Sequence, residues 1–279
     1  MNNIKYICPI CGESLLKAEK SFVCENKHSF DIARQGYINL LPVGQKHSLH
    51  PGDDKEMLNA RRIFLNSGLY EPIAKSVTDK VKALAVESLM IIDVGCGEGY
   101  YTRKIADSVS GSCCVGVDIS KDAARMACSR GKDIGYCVAT ASHLPFEDKS
   151  ADIITAMFSL VCEDEFARVL RDGGYIIEVT AGTEHLIELK QIIYDEVFPQ
   201  DKHPAPRGEG FEEISCENFK YEIEVSGELL KSLLIMTPHI RRINPEHRKR
   251  LDKLESLRLT VSYWLTVTQA VACRHCQDA

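Results

Sequence analysis

The chain has 279 residues and a mass of 31.2 kDa, room for one full α/β domain and a small appended module. With 44% hydrophobic and 27% charged residues it has the composition of a folded globular protein, which excludes disordered and fibrous chains. A net charge of −6 excludes a uniformly basic nucleic-acid glove.

The charge is uneven, with seven bases against three acids over 241–258, six against four over 1–50, and three against ten over 195–228. Solvated helix faces are the simpler explanation, and local basic surfaces are also compatible with nucleic-acid contact. No apolar stretch approaches the ~18–20 residues of a bilayer-spanning helix. Met1 to Lys5 lead into Cys8 without the apolar run of a secretory signal. The expectation is a cytoplasmic protein with no membrane partner. Nine of the 12 cysteines are scattered, several of them in apolar runs (Cys113, Cys114, Cys128, Cys137, Cys162), as expected of reduced thiols packing as small hydrophobes.

Residues 1–45 lack a long periodic segment and are punctuated by Cys, Gly and Pro, as in a module too small for its own core. Residues 46–55 read as a linker, and the domain expected after the head is 46–279. Apolar residues at helical spacing predict helices over 55–69 and 73–86. Strands are then expected at 89–94, 113–118, 136–139, 153–156 and 175–179, with helices at 100–109, 121–130 and 163–170. A long closing strand is expected over 257–268. This alternation predicts a mostly parallel, Rossmann-like sheet wound by right-handed crossovers.

Asp93-Val94-Gly95-Cys96-Gly97-Glu98-Gly99-Tyr100-Tyr101 lies at the carboxyl end of the first strand of that sheet and opens a helix, where open α/β sheets bind ligands. Its G-x-G-x-G spacing differs from the dinucleotide fingerprint. A carboxylate at Asp93 would repel a pyrophosphate but could accept hydrogen bonds from an ammonium group. S-adenosylmethionine (SAM) has that amine, a sulfonium and no phosphate. Asp118 ends the second strand, where an acid can take both hydroxyls of a ribose, and Ser142 and His143 follow the third, where adenine-flanking residues would lie. The alternative is a nucleotide-binding or degenerate Rossmann-like unit.

Cys8-Pro9-Ile10-Cys11 is followed by Cys24 and His28, a C-x2-C-x12-C-x3-H pattern that can hold one tetrahedral zinc with no open position. Such a zinc is structural and supplies folding free energy to a small head. Cys273 and Cys276 repeat the C-x2-C spacing without a matching second pair, which points to an incidental pair.

These motifs resemble one family. The zinc pattern is followed by Phe30-Asp31-Ile32-Ala33-Arg34-Gln35-Gly36-Tyr37-Ile38-Asn39-Leu40-Leu41-Pro42, Pro51-Gly52-Asp53, Ala60-Arg61-Arg62-Ile63-Phe64-Leu65 and the glycine segment, in the order seen in RlmA-type 23S rRNA (guanine-N1)-methyltransferases of bacteria. The likeness runs from Cys8 to about Met236-Thr237-Pro238. It implies a class I SAM-dependent methyltransferase with a seven-stranded sheet, a zinc head that helps hold a 23S rRNA hairpin, and a homodimer. It also implies that Gly99, Tyr100, Tyr70 and His185 contact or close over SAM. Without the resemblance, Tyr70 reads as a core aromatic and His185 as a surface or capping histidine.

The chain departs from the family after the fourth strand. Phe158-Ser159-Leu160-Val161-Cys162 stands where relatives carry a proline-containing Tyr/Ser-Ala-Pro segment beside the substrate. His143, Asp152 and His185 are the candidates for accepting the N1 proton. The competing function is methylation of a small molecule of quinone or antibiotic type. A non-catalytic zinc RNA-binding protein with a vestigial SAM fold is a third reading.

Overall fold

The computed structural model describes residues 4–42, 44, 52–85, 88–197, 202–237, 243–251 and 253–271. The Cys273/Cys276 pair, Arg241, Arg242 and most of the expected linker lie outside the described residues.

The head is a four-stranded antiparallel sheet of β1 (Tyr6–Ile7), β2 (Ser14–Lys17), β3 (Ser21–Val23) and β4 (Ser29–Asp31). The chain next forms β5 (Ile38–Asn39), α1 (Lys55–Asn66), α2 (Glu71–Leu84), β6 (Met90–Val94), α3 (Tyr100–Ser108), β7 (Cys113–Asp118), α4 (Lys121–Ala127) and β8 (Gly135–Val138). It continues through β9 (Ala151–Met157), α5 (Glu163–Val169), β10 (Leu170–Ala181), α6 (Ile187–Ile193), β11 (Phe211–Ser226), α7 (Gly227–Met236), α8 (Pro245–Leu251) and β12 (Ser256–Ala270).

The large sheet has the order β11-β12-β10-β9-β6-β7-β8-β5, parallel from β10 to β5, with β12 antiparallel to both of its neighbours. Sequence order reverses between β6 and β9, which opens a crevice at the carboxyl ends of these strands beside the glycine segment. The expected sheet had seven strands. The eighth comes from the amino-terminal segment, whose Ile38–Asn39 pairs in parallel with Cys137–Val138 of β8.

Ile91, Ile92, Val94, Val115 and Val117 are buried, as expected of strands covered on both faces. One face packs Ile91, Ile153, Ile177 and Val179 against α1, α2, α3 and α6. The other joins Ile92, Val115 and Ile154 to Phe166 of α5 and to Ile4, Tyr6, Leu15 and Phe22 of the head. The head is therefore docked on the body. The Ile7 N–H donates to the Pro145 carbonyl at 3.0 Å, and the Tyr6 ring lies 5.5 Å from Phe146.

Two features lie outside the sequence expectations. Strand β11 falls in the segment read only as acidic, and it pairs with β12 from Phe211↔Ala270 to Ser226↔Ser256. Pairing of β12 with β10 ends at Ala181↔Tyr263, so the β11–β12 ribbon runs on past the carboxyl edge of the parallel strands. It carries α7, packed on α1, and α8, packed on α6. Among the described residues no helix is long and apolar enough to cross a membrane, and the described cysteines are free thiols.

Candidate cofactor and metal sites

In the head, the β1–β2 and β3–β4 turns present Cys8, Cys11, Cys24 and His28, whose ligand atoms all lie within 4.8 Å of one another. His28 Nδ1 is 3.5 Å from Cys8 Sγ and 3.4 Å from Cys24 Sγ, and Cys11 Sγ is 3.7 Å from Cys24 Sγ. A tetrahedron with zinc–sulfur bonds of about 2.3 Å and zinc–nitrogen bonds of about 2.05 Å has edges of roughly 3.75 and 3.55 Å. These three separations match the edges zinc requires, and all four ligand atoms are close enough to share one ion. A hydrogen bond from the Asn26 side chain, aided by the Glu13 N–H, pulls the Cys11 thiol down to about 6, which favours the thiolate that binds metal. The set supplies four ligands with no open position and so fits a structural zinc.

At the crevice, β6 delivers the chain into the bend at Gly95-Cys96-Gly97-Glu98-Gly99. Gly95 has φ +74°, and a Cβ there would come within 2.5 Å of the Ser159 Cβ. Gly99 has φ +85° as the N-cap of α3, with Ala127 and Tyr136 each 3.0 Å from a would-be Cβ. Side chains are excluded at both positions by backbone conformation and by space. The bend is closed by Asp118, whose Oδ2 accepts the Gly97 N–H at 2.8 Å while Oδ1 accepts the Ser120 N–H at 2.8 Å.

Asp93 sits under the bend. It is 2% exposed, and its two oxygens accept the Thr102 hydroxyl at 2.5 Å and the Thr155 hydroxyl at 2.8 Å. Burial raises its carboxyl to about 6 against these hydrogen bonds, and the charge of Asp118 adds to the rise. Burial also raises Asp118, against the two N–H donors.

Glu98 points inward and is fully buried. Arg62 Nε reaches it at 2.8 Å and Arg130 at 2.6 Å, while Arg62 also donates to the Met126 carbonyl at 2.9 Å. These bonds fasten α1 and the end of α4 to the bend. Arg61, one residue earlier, lies over it: its Cδ is 3.7 Å from a would-be Cβ on Gly97, it pairs with Asp53 at 2.5 Å, and its Nε is buried without a partner. The sequence reading passed over Arg61 and Glu98. The signal available was an Arg-Arg pair on a helix and one acid among three glycines.

Tyr70 precedes α2 and is buried, with its hydroxyl 3.3 Å from His185 Nε2. Tyr100, at the start of α3, donates to Glu71 at 2.8 Å. Ser142 and His143 are exposed beyond β8, with Ser142 Oγ 3.2 Å from His143 Nδ1. The bend, Asp118, Ser142, His143, Tyr70 and His185 all gather at the carboxyl edge. Asp152 does not. It lies at the start of β9, on the opposite edge, where it accepts the Met90 N–H at 2.7 Å and pairs with Arg171 at 2.7 Å. A base at that end is a whole strand away from the crevice, so Asp152 is removed from the proton-accepting candidates.

The model of the RlmA amino-terminal region, a zinc ribbon, matches residues 6–49, and that of a methyltransferase domain matches residues 92–177. A protein of Bacillus subtilis (strain 168) named "Putative 23S rRNA (guanine-N(1)-)-methyltransferase YxjB" is 32% identical over 266 residues, covering 91% of this chain and 93% of its own length. This chain belongs to the RlmA family of methyltransferases. The "23S rRNA (guanine(748)-N(1))-methyltransferase" of Streptomyces fradiae is 26% identical, covering 95% of this chain and 97% of its own length. The RlmA fold expected from the sequence, a class I methyltransferase domain with a zinc head, is thus borne out.

Proposed function

We propose that this RlmA-family chain transfers a methyl group from SAM to N1 of a guanine in a hairpin of 23S rRNA. What carries the reading is the union, on one chain, of the four-ligand zinc head with a glycine bend flanked by acids at two strand ends. A methyltransferase acting on a small quinone or antibiotic has no use for such a head. The full-length relatives named for this reaction support it further.

The donor set at the crevice fits SAM. Arg61, with its unpartnered Nε, suits the α-carboxylate, and Asp118 suits the ribose diol. Asp93 acts from below, fixing the bend through Thr102 on α3 and Thr155 on β9. Gly95, Gly97 and Gly99 let the backbone approach, and Tyr100, Tyr70 and His185 form the walls, with Ser142 and His143 on the adenine side. Bound SAM supplies a methyl group activated by a positively charged sulfur. The protein's share is placement. N1 is paired in a duplex, so the guanine must be unstacked before it enters the crevice. His143 and His185 stand on the correct edge to receive its proton.

The head (1–45) is read as the RNA-recognition module and 46–279 as the methyltransferase domain. Exposed Lys17, Lys20, Lys27 and Arg34 of the head, with Lys249, Arg250, Lys253 and Arg258 around α8, supply cations for phosphate. The working assembly is a cytoplasmic homodimer, which sedimentation equilibrium checks. The activity is tested with tritiated SAM and 23S rRNA from an unmodified strain, mapping primer-extension stops because a methyl on N1 blocks pairing. Label entering a small metabolite but never this RNA refutes the proposal.

A further inference from the structure

The turn that follows β9 has a use of its own. Phe158 adopts φ +54°, a left-handed backbone that a bulky aromatic rarely takes. Its backbone is pinned on both sides. The Phe158 N–H donates to the Val179 carbonyl of β10 at 2.8 Å, and the next residue, Ser159, donates from Oγ to the Val94 carbonyl of β6 at 2.6 Å. Ser159 is also the side chain that fills the space against Gly95. The strained turn is thus locked to the glycine bend and leaves the Phe158 ring as its projecting part.

That ring is 37% exposed and lies 5.8 Å from the His185 ring, and Leu160, two residues on, is 70% exposed. Two exposed apolar side chains on a rigid turn beside a polar crevice add nothing to the core. They stand two residues apart as an exposed apolar pair next to the bend proposed to hold the methyl donor.

We infer that Phe158 is the stacking platform for the extruded guanine, with Leu160 as the apolar rim that replaces its lost stacking neighbour. This rests on the proposed RNA methylation and names the residue that holds the acceptor. A purine taken out of a helix loses stacking on both faces, and an aromatic ring restores one of them. A backbone held in place beforehand avoids ordering the ring at the moment of binding.

The test compares full-length wild type, Phe158→Leu, Phe158→Tyr and Phe158→Gly on unmodified 23S rRNA transcribed in vitro. Phe158→Leu keeps apolar bulk without a π face, and kcat/KM for RNA is expected to fall about 10- to 100-fold. The SAM Kd by calorimetry is expected to stay within about twofold, and Phe158→Tyr to restore kcat/KM to within about threefold of wild type. Phe158→Gly relieves the positive φ, so its Tm is expected within a few degrees of wild type while its activity is as low as that of the leucine variant. Wild-type kcat/KM in Phe158→Leu overturns the inference, as does a parallel loss of SAM affinity, which makes Phe158 a cofactor wall. A wild-type protein inactive on RNA overturns the proposed function and the platform with it.

Discussion

The Tyr70 hydroxyl lies 3.3 Å from Nε2 of His185, across 115 residues of sequence. Burial raises the Tyr70 phenol well above its ordinary value, so at neutral pH it keeps its proton and shares a hydrogen bond with the imidazole, whose tautomer sets the direction. The Phe64 ring packs edge-on to Tyr70 at 5.0 Å and fixes the phenol from behind. The bond therefore fixes His185 relative to the start of α2. Tyr70→Phe removes one buried hydrogen bond, worth about 1 kcal/mol, and the SAM Kd measured by calorimetry is expected to rise about fivefold. An unchanged Kd assigns the pair to core packing alone.

Glu98 offers a sharper test of how the bend is held. It is a fully buried carboxylate shared by two arginines that are themselves mostly buried, Arg62 at 28% and Arg130 at 19% side-chain exposure. Removing one partner of a buried pair leaves the other charges uncompensated, at a cost of about 3–5 kcal/mol. Glu98→Ala is expected to lose stability on that scale in urea unfolding. Glu98→Gln, which keeps an acceptor, is expected to lose less. Equal losses would mean that the charge alone, not side-chain bulk or the retained acceptor, holds the site.

Much of this was legible in the sequence, and the exceptions have physical reasons. The parallel strands announced themselves because both their faces are buried, which leaves unbroken runs such as Ile91-Ile92 and Val115-Gly116-Val117. The edge strand β11 did not. Its outward positions carry Glu212, Glu213, Glu222 and Glu224, and only Ile223 and Val225 are buried, so its composition resembles a solvated loop. Ile38–Asn39 is too short to register as a strand until β8 offers it an edge. Zinc spacing is local and could be read directly. The burial of Glu98 depends on arginines 36 residues before it and 32 after it, beyond any local pattern. Asp152 was misplaced although its position was readable, since it precedes the apolar run of its strand and so marks the amino end.

Loss of the metal is expected to reach beyond the head. Ile4, Tyr6, Leu15 and Phe22 share one apolar cluster with Ile92, Val115 and Phe146. Structural zinc supplies folding free energy that this small sheet lacks. Cys24→Ser leaves three ligands, and forfeiting even ~3 kcal/mol corresponds to a Tm drop of about 6–12 °C for a domain of this size. Metal analysis and calorimetry are expected to show zinc loss together with one cooperative transition at lower temperature. A separate, earlier head transition with the main Tm unmoved would mean that the shared cluster does not couple the two parts. SAM binding is expected to survive, because among the described residues the glycine bend takes its hydrogen bonds from the body, not from the head.

Asp93 makes a prediction in pH. Its carboxyl is raised to about 6 in the folded chain, mainly by burial, against roughly 4 in an unfolded one. Between these values the folded state holds the proton more tightly, so stability from this group is greatest below about pH 4 and declines as pH rises through 6. Two units correspond to about 3 kcal/mol. Asp93→Asn cannot ionise, and its amide oxygen still accepts from one of the threonine hydroxyls. The difference in unfolding free energy between the variant and wild type is therefore expected to shift toward the variant by about 2 kcal/mol from pH 4 to pH 6.5, because at pH 4 the unfolded carboxyl is already half ionised. Urea melts of both proteins at each pH give that difference directly, and the zinc ligands titrate alike in the two. A difference flat across this range would mean that the Thr102 and Thr155 hydroxyls compensate the buried charge in full.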